Sequence, residues 1–177
     1  VSGKEAKSEI STKEEADKIK EIVENSPFIV ESIKSGERIK NAPLPFITSS
    51  LQQEASKVLN FSTQKTMRIA QQLYEGIDLK GEGTVGLITY LRTDSTRISE
   101  EAIQLAQEYI TEEYGPQYSS VIQQDKKNTG KVQDAHEAIR PSDIKRSPVL
   151  VKASLSRDQF RLYQLIWKRF CASRMTQ

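Results

Sequence analysis

The chain has 177 residues (20.0 kDa), 36% of them hydrophobic and 28% charged, at a mean hydropathy of −0.58. That balance fills one sizeable domain, or one domain and part of another. No apolar run approaches the roughly 18–20 residues that span a bilayer, and one cysteine with one histidine excludes a disulfide framework and the usual Cys/His zinc sites.

In chain order, VSGKEAKSEI carries neither an initiator Met nor an apolar leader core. Ser11–Glu14 spells a capping box, and Ala16, Ile19 and Val23 recur at helical spacing until Asn25. Pro27–Val30 reads as a strand that Ser35-Gly36 turns back through 37–40 as a hairpin. Asn41-Ala-Pro43-Leu-Pro45 is the best domain boundary, because two prolines disfavour both helix and central strand. A second helix is expected from Ser49 or Ser50, with Leu51, Ala55, Val58 and Leu59 on one face. A third runs from Ser62 to Glu75 over Thr66, Ile69, Ala70, Leu73 and Tyr74, with Gly76 just past its end. Gly81–Gly86 should be a loop feeding an apolar strand, Val85–Leu91.

A fourth helix follows Ser99, with acids at Glu100 and Glu101 where the dipole favours them. Its stripe is Ala102, Leu105, Ala106, Tyr109 and Ile110. Residues 115–134 are polar and expected to be mobile, as are residues 1–26. The last helix begins at Ser156, with Gln159 completing a capping box, and buries Tyr163, Ile166, Trp167, Phe170 and Cys171. It runs almost to Gln177 without a stop signal, so an excised piece of a longer protein is expected.

Net charge is +2, but residues 131–177 carry 10 basic and 4 acidic groups. That asymmetry suits a polyanion partner, as it also suits a solvated helix face. Gly81-Glu-Gly83-Thr-Val-Gly86 matches G-x-G-x-x-G, yet it leads into a strand, whereas a dinucleotide fingerprint follows one and opens a helix. The kinase signatures are missing as well, so no nucleotide is expected. Ser95, His136 and an aspartate make no hydrolase triad without a G-x-S-x-G elbow.

Tyr90-Leu-Arg92-Thr-Asp94 is more informative. On an extended chain Tyr90, Arg92 and Asp94 share one face. A phenol, ordinarily titrating near pH 10, needs a neighbour that favours phenolate before it attacks phosphorus. A guanidinium forks onto phosphate oxygens. By spacing alone, Tyr90 equally suits a half-buried packing residue and His136 a surface one. His136 and Arg140 are four apart, one helical turn, so both could face one anion.

Gly86-Leu-Ile-Thr-Tyr90-Leu-Arg92-Thr-Asp94-Ser95 closely resembles the active-site tyrosine motif of type IA DNA topoisomerases, and Ala135-His136-Glu-Ala-Ile-Arg140-Pro141 looks like that family's second signature. The stretches 45–55, 66–76 and 162–170 are also similar to the family, in the expected order. The resemblance implies that Tyr90 is the nucleophile that cuts one DNA strand and holds its 5′ end. It implies that Arg92 stabilises charge at the scissile phosphate, and that His136 assists phosphate binding with Asp94 and Arg140 in support.

The fold it implies is mainly α with a small β component. Residues 45–177 would form a winged-helix-like (catabolite-activator-like) catalytic tyrosine domain, and residues 1–44 a β-containing segment of the arch (gate) domain. Members relax negatively supercoiled DNA without ATP, acting on its single-stranded regions. The toprim domain that holds Mg²⁺ has no counterpart in these 177 residues. The ligands of the Mg²⁺ are therefore expected outside this chain, and the chain alone is expected to hold no metal and to be inactive. The other partners expected are the remaining domains of the same polypeptide, with a monomer in the cytoplasm and no membrane contact. The alternatives are a non-catalytic winged-helix module that binds nucleic acid, and an interaction domain with a basic C-terminal face.

Overall fold

The computed structural model describes residues 10–36, 41–119 and 136–176. They belong to two units, Val1–Arg38 and Ile39–Gln177.

In the first unit, helix α1 spans Lys13–Glu24 and its N-cap is Thr12, one residue later than expected. Both registers spell S/T-x-x-E. The later one wins because Glu15 then accepts from two backbone N–H groups, Ser11 at 3.1 Å and Thr12 at 3.3 Å, while Thr12 Oγ1 accepts from Glu15. Within residues 1–26, where mobility is expected, Lys13–Glu24 forms a helix that buries no residue, and residues 1–9 lie outside the described part. Pro27–Val30 is exposed and pairs with no strand among the described residues. The other arm of the expected hairpin, 37–40, lies outside the described residues.

In the second unit, α2 (Thr48–Glu54) continues as a π-helical turn, Ala55–Leu59, closed by Asn60 at φ 56°. Leu51 and Ala55 are buried as expected, whereas Val58 faces solvent. Helix α3 (Thr63–Glu75) is capped by Ser62, whose hydroxyl accepts from Lys65 N–H at 3.2 Å. It buries Thr66, Ile69, Ala70 and Leu73, but Tyr74 stays outside that stripe.

Gly76 ends α3 and leads into a hairpin that the sequence reading missed. Strand β1 (Ile77–Leu79) pairs antiparallel with β2 (Gly83–Val85), Ile77 opposite Val85. The expected strand Val85–Leu91 therefore stops at Val85. Gly81 in the turn and Gly83 at the start of β2 take φ of 89° and 77°, so these glycines serve the hairpin.

Helix α4 (Glu100–Tyr114) is capped by Ser99 and buries Ala102, Ala106 and Ile110, with Leu105 and Tyr109 partly buried against the same core. Of the polar loop expected to be mobile, 120–134 lies outside the described residues. Pro116–Tyr118 forms a 3-10 turn, held where Thr176 N–H donates to Tyr118 O at 3.0 Å. Short α5 (Pro148–Val151) was not anticipated.

Helix α6 (Arg157–Ser173) has the expected Ser156/Gln159 box and buries Leu162, Tyr163, Ile166, Trp167, Phe170 and Cys171. The Tyr163 hydroxyl donates to Arg146 O at 2.7 Å and the Trp167 indole N–H to Ile144 O at 2.9 Å. Tyr109 meets the Trp167 ring edge-on at 5.7 Å, and Lys65 on α3 bridges Asp158 on α6 at 2.6 Å. The described architecture is thus mainly helical with one two-stranded sheet.

Candidate functional site

The segment after β2 has few ladder bonds, yet it is held at alternate residues. Leu87 N–H donates to Leu73 O at 2.7 Å, and Thr89 N–H to Arg140 O at 2.9 Å. The Thr89 hydroxyl donates to Ala138 O at 2.7 Å and accepts from Arg140 N–H at 3.0 Å. Two residues on, the Thr48 hydroxyl reaches Leu91 O at 2.8 Å and accepts from Thr93 N–H at 2.9 Å. Thr48 N–H closes the pair on Thr93 O at 2.9 Å.

Leu87, Leu91 and Thr93 are buried by this arrangement, and Tyr90, Arg92 and Asp94 face out. The expected period-2 alternation is therefore present from Thr89 to Asp94, though Ile88, two residues before Tyr90, is buried and the segment is not a sheet strand. Extended backbone alternates its side chains whether or not a ladder flanks it. Here two threonine hydroxyls and the loop 138–142 do the work of the missing neighbour strands.

Tyr90 keeps 43% of its surface. Its ring lies between two others: Tyr74 meets it edge-on with centroids 5.5 Å apart, and His136 stacks on it at 6.2 Å and 27°. Arg92 and Asp94 are exposed on the same side, and neither bonds to any described residue.

Arg140 departs from expectation. Residues 136–140 are extended, not a helical turn: Ala138 N–H donates to Arg97 O at 2.8 Å and Ile139 N–H to Phe46 O at 2.8 Å. The Arg140 guanidinium holds Glu137 through Nη2 at 2.7 Å and Nε at 3.1 Å, and Nη1 donates to Pro141 O at 3.0 Å. The helical turn that was to aim His136 and Arg140 at one anion is therefore not formed. Burial pushes the Glu137 carboxyl up, but hydrogen bonds and charge from Arg140, with hydrogen bonds from Ser99, more than offset it and hold the group below the usual carboxylate range.

Sequence reasoning passed over Thr48, Tyr74, Thr89 and Glu137. The hydroxyls carry no pattern of their own, and Tyr74 was counted with the apolar face of α3. Among the described residues no three His, Cys, Asp or Glu side chains form a group that could hold a metal ion. Likewise, no helix there is long and apolar enough to cross a membrane.

The arrangement offers a solvent-facing phenol flanked by an imidazole, with a guanidinium two residues on. A family model described as DNA topoisomerase matches residues 2–177. Among solved structures, full-length topoisomerase I from Thermotoga maritima is similar, with 44% identity and a TM-score of 0.75. The match covers 91% of this chain and 25% of that one, so the chain spans about a quarter of that relative's length.

Proposed function

The chain belongs to the type IA DNA topoisomerase family, and from that premise we propose that it carries the nucleophile half of a DNA strand-cleaving centre. The observation that carries this reading is the Tyr90 phenol, held out to solvent on an extended segment and stacked against His136. Tyr90 Oη attacks a backbone phosphorus, an O–P bond to the tyrosine forms, and the bond to the 3′ oxygen breaks. The 5′ end stays on the protein, and attack by the released 3′ hydroxyl reverses the step.

Arg92, on the same face, forks onto the non-bridging oxygens where charge develops. His136 borders the phosphate, and Asp94 lies within the same exposed stretch. Arg140 contributes by holding Glu137, next to His136, and so supports the site from behind.

The complete enzyme, in this reading, relaxes negatively supercoiled DNA without ATP by passing a strand through the break, as a cytoplasmic monomer. Residues 45–177 serve as its catalytic tyrosine domain and residues 1–44 as a segment of the arch. The Mg²⁺ it uses is bound by residues elsewhere in the polypeptide, and the 177 residues alone do not relax supercoils.

The test is a covalent-adduct assay on the complete reading frame that contains this chain. It uses a 3′-end-labelled single-stranded oligonucleotide and Mg²⁺, with Tyr90→Phe beside it. A labelled protein band that disappears in Tyr90→Phe is the expected result. A band that survives moves the chemistry elsewhere, and DNA binding with no band from either protein favours the binding-module reading.

A further inference from the structure

Tyr74 has no part in the proposal above, yet it touches the nucleophile. We infer that Tyr74 is a positioning residue for Tyr90: its ring edge, against the Tyr90 ring, holds the phenol in the orientation from which it attacks. The inference rests on Tyr90 being the nucleophile.

Backbone fixes the pair before any side chain does. Tyr74 lies in the last turn of α3, and Leu73 O accepts from Leu87 N–H at 2.7 Å. Gly86 sits so close that a Cβ there would fall 2.7 Å from Tyr74 O. The helix end and the start of the tyrosine segment are thereby locked four residues before Tyr90, and the 5.5 Å ring contact follows. A tyrosine with 43% of its surface free ordinarily samples several χ1 and χ2 states. With Tyr74 at its edge and His136 on its face, Tyr90 is restricted from two sides.

A core role does not account for Tyr74. The residue keeps 39% of its surface, it stands outside the buried stripe of α3, and its hydroxyl bonds to no described residue. The ring contact that the structure shows for it is the one with Tyr90. In-line attack tolerates little error in the nucleophile's placement, so a loosened ring slows chemistry more than it weakens binding.

The test compares Tyr74→Leu and Tyr74→Phe in the complete polypeptide. Single-turnover adduct formation is read beside oligonucleotide affinity, and 3-fluorotyrosine at position 90 supplies a fluorine NMR signal. An edge-to-face aromatic pair is expected to be worth about 3- to 10-fold in rate. Tyr74→Leu should lose that much with affinity unchanged within about twofold, and Tyr74→Phe should restore it, because the ring and not the hydroxyl makes the contact. The fluorine resonance should move in Tyr74→Leu and stay in Tyr74→Phe. Full-rate cleavage by Tyr74→Leu, or equal loss in both variants, would overturn the inference. If the unsubstituted protein forms no adduct, the cleavage reading falls by itself. The fluorine signal then decides separately: a displaced resonance supports Tyr74 as the residue that holds Tyr90, and an unchanged one refutes it.

Discussion

Glu137 and Arg140 keep only 20% and 13% of their side-chain surface, and their closest approach is 2.7 Å. At that burial, removing one partner leaves the other poorly compensated. Glu137→Ala is expected to cost about 1–3 kcal/mol at pH 7. Because the folded protein holds this carboxyl below its ordinary value of 4.5, its contribution is present above about pH 4.5 and is lost as pH falls through the folded value. Urea midpoints of the two proteins should therefore differ at pH 7 and converge towards pH 3. A gap that stays constant would mean the pair contributes through packing alone. Cys171 is the opposite case, a buried thiol that burial pushes up to about 11. Iodoacetamide at pH 8 should leave it unmodified in the folded chain and label it readily in urea.

At the scale of elements, α3 and the tyrosine segment meet at Gly86. Its missing side chain is a steric requirement, because the obstacle is the Tyr74 carbonyl and not a flexible side-chain tip. Gly86→Ala should force the two apart, at about 1–3 kcal/mol by analogy with overpacked cores, read as a lower melting temperature. If Tyr74 positions Tyr90 as inferred, adduct formation should slow in the same variant. An unchanged melting temperature would mean that α3 can shift freely at its end. Helix α6 reaches the site indirectly. Trp167 and Tyr163 donate to the carbonyls of Ile144 and Arg146, just after the stretch 140–142 that pairs with residues 87–89.

At the scale of the molecule, every residue of the buried core lies between Phe46 and Cys171 among the described residues. In the first unit α1 buries nothing, and Phe28, Ile29, Val30 and Ile33 are exposed. A chain beginning at residue 39 should thus melt within about 4 °C of the 177-residue chain, a shift of no more than about 1 kcal/mol. A larger drop in a thermal scan would mean that the first unit stabilises the second. The charge distribution also acts at this scale. Affinity for single-stranded DNA should fall linearly on a log–log plot against salt, since phosphate neutralisation releases counterions. A salt-independent affinity would remove the 131–177 basic stretch from the interface.

Much of this was legible in the order of the amino acids, because it depends on neighbours in the chain. Ser62, Ser99 and Ser156 cap the helices they precede, and the α6 stripe is buried residue for residue. Tyr90 and Arg92 face the same way because extended backbone alternates. Local signals became ambiguous where two registers were chemically equal, as at Ser11 and Thr12, or where a short apolar run could be strand or loop, as after Val85. What stands opposite the tyrosine was decided only by tertiary structure. The stretches 46–48, 73–74, 86–94 and 138–142 are far apart in sequence, and helix packing and threonine hydroxyls bring them together. That assembly set His136 against Tyr90, turned Arg140 onto Glu137 and brought Tyr74 to the edge of the Tyr90 ring, since side-chain direction is a local property and side-chain company is not.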